Sequence, residues 1–181
     1  MFQPSWFTTW IRFNRVNTTL RPTLKGGQGT AITADHTAEK SQSEAERLKD
    51  MGIEVRQGYL AGQLAVSRAL GDLDLKTKSK VPGLLALPDV FKVHIGEDTE
   101  FLLLGSDGIF DPLQDRHAAT HARKALRETQ RPEAAALAVI ENAGALSTLD
   151  NSSAAVIVLR MPEPLAKRAP RSRASLSALG S

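Results

Sequence analysis

The sequence predicts an α+β fold, a layered domain of antiparallel sheets with flanking helices. Three observations carry this. Strand-like segments come in pairs joined by short connections, at 53–66 and 90–104, as antiparallel neighbours do. The two clearest helical segments, 115–126 and 132–144, follow one another with no strand between them. At 181 residues the chain is long enough for one domain with a substantial core.

Residues 1–29 read as an irregular basic N-terminal arm, aromatic and rich in hydroxyls. Arg12 and Arg15 interrupt any apolar secretory core, while an acid-free, Arg-rich composition is also that of a mitochondrial transit peptide. The folded domain is expected over 30–159. Thr37 to Met51 reads as a helix capped by Thr37 or Ser41, with Ala45, Leu48 and Met51 at helical spacing and Gly52 as its stop. Ile53-Glu54-Val55 alternates like a strand edge. Leu60 to Leu64 reads as a turn, and Leu64-Ala65-Val66 begins the next strand.

Residues 73–83 read as an exposed loop. Val90 to Ile95 alternates, Phe101 to Leu104 is a buried strand, and Gly96 to Glu100 joins the two as a hairpin. Asp115 is expected to cap a helix through Leu126 whose inner face is Ala118, Ala119, Ala122 and Ala125. Pro132 suits the first turn of another, with Leu137, Ala138 and Ile140 inward and Gly144 ending it. Ala154 to Leu159 is a final strand rich in β-branched residues. Residues 160–181 are predicted to be a disordered basic tail, because Pro, Ser, Ala and basic residues bury too little apolar surface.

The net charge of +3 is unevenly distributed. Residues 1–34 carry +4 and residues 160–181 another +4, which leaves −5 for residues 35–159. A surface that tracks nucleic-acid phosphates normally places its charge on the folded body, so no nucleic-acid partner is expected. No apolar run approaches the roughly 20 residues of a membrane span. The absence of cysteine removes disulfides and thiolate sites and fits an intracellular protein.

Chemistry concentrates in FLLLGSDGIFD, residues 101–111. A buried strand runs into a small-residue turn that presents Asp107 and Asp111 at the open end of a sheet. These acids read equally as metal ligands or as caps of the next helix. Asp150, in Leu149-Asp150-Asn151-Ser152, precedes the last strand. Antiparallel pairing sets the end of one strand beside the start of its neighbour, so Asp107 and Asp150 are candidates to meet. Carboxylates brought together repel unless a cation holds them, and hard divalent ions such as Mg²⁺ or Mn²⁺ want oxygen donors. Arg68 and Asp72 are read as loop-holding charges. His117 and His121 have the spacing of a zinc pair, but no further ligand follows; with His36 and His94 they are read as surface or packing residues.

Four segments in order resemble the metal-dependent protein phosphatase 2C family: Leu64 to Asp72 (LAVSRALGD), Leu87-Pro88-Asp89-Val90, Phe101 to Asp111, and Asp150-Asn151. Thr33-Ala34-Asp35-His36 looks like the stretch just upstream in that family. The resemblance covers about residues 30–159 and implies part of an αββα layered sandwich. It implies that Asp107 and Asp150 are ligands of a binuclear Mn²⁺ or Mg²⁺ centre, and that Asp111 is linked to a third, weaker metal position. It further implies phosphoserine and phosphothreonine proteins as substrates, hydrolysed by a metal-activated water without a phosphoenzyme.

The chain departs from the family in its first part. No Arg-x-x-Asn-Glu-Asp-like segment and no Asp-Gly-His-Gly-Gly is present, and residues 1–29 contain no Asp, Glu or His. A truncated or degenerate phosphatase, inactive alone, is therefore expected. The alternative is a non-catalytic pseudophosphatase that binds a phosphoprotein or kinase, with Lys167 to Arg173 as a docking segment. Its expected location is cytoplasmic or nuclear, or mitochondrial if the N-terminal arm acts as a transit peptide. A haloacid-dehalogenase-type nucleophile is excluded because Gly105 stands two places before Asp107.

Overall fold

The computed structural model describes residues 28–62, 64–74, 76–93, 95–147 and 149–166, with 7–8 and 19–24 described by backbone alone. The fold is α+β. Its main sheet has four antiparallel strands in the order β3 (Gln28–Gly29), β2 (Thr19–Leu24), β7 (Thr99–Gly105) and β8 (Ala154–Val158). Short ladders join β1 (Phe7–Thr8) to β6 (Lys92–Val93) and β4 (Val55–Arg56) to β5 (Tyr59–Leu60). The helices are α1 (Gln42–Asp50), α2 (Asp107–Phe110), α3 (Asp115–Thr129) and α4 (Pro132–Leu146).

β7 organises the molecule because its apolar run is buried along nearly its whole length, as a strand flanked on both edges requires. Phe101 and Leu103 point into a core completed by Ile109, Leu113, Leu126, Val139 and the alanines of α3 and α4. Ala118, Ala119 and Ala122 are fully buried, so α3 presents the face its spacing predicts. Arg123 clamps this layer to the sheet by donating to both oxygens of buried Glu100, at 2.5 and 2.9 Å. A second, smaller core gathers Leu48 of α1, Leu60, Ala69, Val81 and Leu84.

Several expectations are corrected. The hairpin between 90–95 and 101–104 does not form: β6 pairs with β1, and β7 pairs with β2 and β8. The irregular arm expected over 1–29 contains β2, which runs the full length of β7; the rest of 1–18 and 25–27 lies outside the described residues. Pro22 disguises β2, since proline argues against a strand unless one edge is free. Among the described residues, β3 pairs only with Thr23 and Leu24, so the second edge of β2 carries no ladder at Pro22. The strand expected from Leu64 shrinks to a single bridge, Leu60 to Leu64.

Helix ends and faces also shift. α1 starts after Ser41, whose Oγ accepts from the Glu44 amide, and Gly52 at φ 68° follows its end. Gln114 holds the cap position of α3, which leaves Asp115 inside its first turn. α4 begins at Pro132 as predicted but runs through Gly144; its fully buried face is Ala135, Val139 and Ala143, with Ala138 and Ile140 partly buried against the core as expected and Leu137 exposed. Apolar residues lie all round α4, so their pattern does not select a face. The predicted tail is ordered in its first part. The Arg127 Nε donates to the Glu163 carbonyl, Gln130 Nε2 to the Pro162 carbonyl, and Leu165 N to the Arg127 carbonyl. Residues 167–181, including the candidate docking segment, lie outside the described residues.

Candidate functional site

Gly105 pairs with Ala154 at the end of the β7–β8 ladder, so the loops that carry Asp107 and Asp150 leave the sheet side by side. Serines lace them together. Ser106 N donates to the Ser153 carbonyl at 3.0 Å, and Ser153 N returns a bond to Ser106 Oγ at 3.1 Å. Ser106 Oγ donates to the Asn151 carbonyl at 3.3 Å, and Ser152 Oγ to the Gly108 carbonyl at 2.9 Å. Contact is close enough that a Cβ on Gly108 would sit 2.5 Å from the Asn151 carbonyl oxygen. Glycine is required there by the approach of two backbones.

Each candidate acid already has a short-range partner. Asp107 Oδ1 accepts from the Gly108 amide at 3.0 Å, and Asp150 Oδ1 from the Asn151 amide at 2.7 Å. Asp111 lies one helical turn after Asp107, its amide donating to the Asp107 carbonyl at 2.8 Å. Its Oδ1 takes a 2.6 Å ion pair from Lys40, whose Nζ is also 3.5 Å from Asp35 Oδ2. The Asp111 hydrogen bond raises the Lys40 pKa.

Asp107 and Asp150 are the oxygen donors that these two neighbouring segments offer a divalent cation. Carboxylates on two neighbouring loops match the one or two with which Mg²⁺ is commonly held when water completes its shell. They do not fit a two-metal centre: among the described residues no three His, Cys, Asp or Glu side chains gather as a metal site. The third acid that the sequence places nearby, Asp111, is turned to an ammonium.

Beside this end of the sheet lies a buried ionic network. Glu44 of α1, its side chain 2% exposed, accepts from Arg68 at 2.5 Å, Arg47 at 2.8 Å and Ser67 Oγ at 2.5 Å. Burial would raise its carboxyl, but the bonds from Arg68, Arg47 and Ser67 outweigh this and hold it down at about 2. Arg68 also reaches Asp89 at 2.5 Å, and Asp89 accepts from His36 Nε2 at 2.9 Å. Ser67 closes the loop by donating its N to the His36 carbonyl at 2.8 Å, while its single hydroxyl proton goes to Glu44 and leaves Oγ 2.9 Å from that carbonyl.

Arg68 is thus a holding charge, as its sequence reading has it, with Glu44 and Asp89 as its partners. Glu44 and Lys40 escape a reading of the sequence. Ser41-Gln42-Ser43-Glu44 resembles a capping box, which explains the acid without burying it. The available signal is that Glu44 shares a helical face with Leu48, four residues on. His117 and His121 lie on α3, where burial first, then His117 and Lys124, lower the His121 pKa. His94 lies outside the described residues.

Comparison with known proteins matches this arrangement to one family. The model of the family described as Protein phosphatase 2C matches residues 23–152. The chain is 39% identical over 133 residues to "Probable protein phosphatase 2C 2" of Oryza sativa subsp. japonica, covering 72% of this chain and 34% of that protein. It is 35% identical over 153 residues to "Probable protein phosphatase 2C 22" of Arabidopsis thaliana, covering 81% and 39% respectively. Among solved structures, a phosphatase from a pathogenic strain of Toxoplasma gondii superposes with a TM-score of 0.62 at 25% identity, over 83% of this chain and 47% of that one. A sex-determining protein of C. elegans has the same fold, with a TM-score of 0.64 at 23% identity over 80% of this chain and 35% of its own. The chain therefore spans 34 to 39% of the length of these curated relatives. No helix among the described residues is long and apolar enough to cross a membrane. On the match to 130 of its 181 residues, with this sheet and these paired loops, the chain belongs to the protein phosphatase 2C family.

Proposed function

We propose that these 181 residues supply one part of a metal-dependent protein serine/threonine phosphatase site, with Asp107 and Asp150 as its cation ligands, and do not hydrolyse phosphoproteins by themselves. The observation that carries this reading is the Gly105–Ala154 pairing, which sets the two acid-bearing loops against one another. Both acids are oxygen donors on short loops braced by serine hydroxyls, as a hard Mg²⁺ or Mn²⁺ ion requires. A binuclear centre needs an acid shared between its ions, and no third metal-binding side chain joins the pair among the described residues. Phosphoserine and phosphothreonine proteins are the substrate class of this reading.

The test is hydrolysis of a phosphothreonine peptide by purified residues 1–181 in Mn²⁺. No release above the protein-free rate is expected. Activity is expected when the chain is mixed with a polypeptide bearing the family's Asp-Gly-His-Gly-Gly segment, and it should vanish in Asp107→Asn and Asp150→Asn. Robust Mn²⁺-dependent release by the chain alone would overturn the claim of inactivity.

A second reading is a phosphoprotein-binding module that does not turn over, and phosphopeptide binding that persists in EDTA would select it.

A further inference from the structure

We propose that Lys40 is a tethered cation that neutralises Asp111 and keeps soluble divalent ions from this carboxylate. Lys40 and Asp111 lie 71 residues apart, yet Nζ approaches Oδ1 to 2.6 Å while standing 3.5 Å from Asp35. One ammonium thus spans two carboxylates from separate segments, the arrangement expected of a small cation.

The tether is built, not incidental. Lys40 N donates to Thr37 Oγ1 at 3.0 Å, and Ser41 N to the Thr37 carbonyl at 3.0 Å, which winds residues 37–41 into a fixed turn. Ser41 then caps α1, whose Glu44 is locked by Arg68, Arg47 and Ser67. On the other side His36 is held through its carbonyl by Ser67 and through its ring by Asp89. Both ends of the segment that carries Asp35 and Lys40 are therefore anchored in the buried network. The pair is itself half-exposed, 46% at Lys40 and 59% at Asp111, so its strength is that of a surface pair, about 1 kcal/mol or less.

Asp111 shares a helical face with Asp107, one turn away. A positive charge held at Asp111 repels a divalent ion there and relieves the repulsion between the two acids without metal. This inference rests in part on reading the Asp107 end of the sheet as cation-binding, and the measurements separate the two.

Mn²⁺ is titrated calorimetrically into the wild-type chain and into Lys40→Gln, Lys40→Arg, Asp111→Asn and the double variant Lys40→Gln/Asp111→Asn. Lys40→Gln is expected to gain a Mn²⁺ site or to bind about three- to tenfold more tightly. The gain should disappear in the double variant, and Lys40→Arg should resemble wild type. Equal Mn²⁺ binding by wild type and Lys40→Gln would overturn the proposal. Asp107→Asn and Asp150→Asn in the wild-type background decide the ligand reading separately: no change there sinks the reading and leaves the Lys40 comparison intact. A metal-free check is the double-variant cycle in EDTA, read by urea denaturation. Coupling worth about a two- to fivefold change in the folding equilibrium supports the tether. Additive effects would overturn it.

Discussion

Gly108 and Asp107 illustrate how tightly the site is drawn. A methyl group at Gly108 would stand 2.5 Å from the Asn151 carbonyl oxygen and 3.0 Å from Ser152 Oγ, and a backbone oxygen cannot swing aside as a side chain does. Gly108→Ala must therefore separate the two loops. The expected cost is about 1–3 kcal/mol, visible as a lower urea midpoint. A midpoint equal to that of wild type would mean that the loops are not in contact. Asp107 is legible in the sequence as an acid just past a buried strand, and the structure has it two residues beyond β7, as the first residue of α2. The Lys40 contact was not legible, because nothing in the sequence around residue 40 refers to a residue 71 positions away.

At the scale of elements, α1 is held less by its apolar residues than by Glu44. Only Glu44 and Leu48 of the helix are buried, and Glu44 carries the bonds to Arg68 and Ser67 that fasten α1 to the following segment. Its carboxyl lies at about 2 in the folded chain against 4.5 when free. A depressed folded value means that the stabilisation is fully present above about pH 4.5 and is lost as pH falls from there towards 2. The loss attributable to this buried group is about 3 kcal/mol. Glu44→Gln should cost about 3–5 kcal/mol at neutral pH by removing the buried charge that Arg68, Arg47 and Ser67 share, and should flatten the acid limb of a stability–pH curve. An unchanged acid limb would show that Glu44 is not the group responsible.

α3 is readable because its alanines fall on one stripe, whereas on α4 the pattern finds Ala138 and Ile140, which pack against the core, and wrongly adds exposed Leu137. The 90–95 segment reads as half of a hairpin because strand alternation specifies a face and says nothing of a partner. Its partner, β1, lies more than 80 residues away, and β7 instead takes the strand that contains Pro22.

Over the whole molecule, two cores of unequal quality share one chain. Among the described residues, the sheet core has eleven buried members backed by α3 and α4, whereas the core around Leu48 has five, served by short ladders and loops. Fewer buried contacts and fewer regular hydrogen bonds mean a lower local opening energy. Native-state hydrogen exchange should therefore show the amides of Ser67, Ala69 and Leu85 exchanging faster than those of Leu102 to Leu104. Equal protection in both regions would indicate a single cooperative unit.

The sequence by itself determined the α+β class, the presence and approximate extent of the main helices, the buried strand that leads into Asp107, and the family to which its motifs belong. These are local properties, set by periodicity, capping residues and short motifs within a few turns of chain. Only the tertiary structure decided that β2 lies beside β7, that Glu44 is buried between two arginines, and that Asp111 answers to Lys40. Each of these joins segments distant in sequence, and burial and charge pairing between such segments depend on the packed arrangement as a whole.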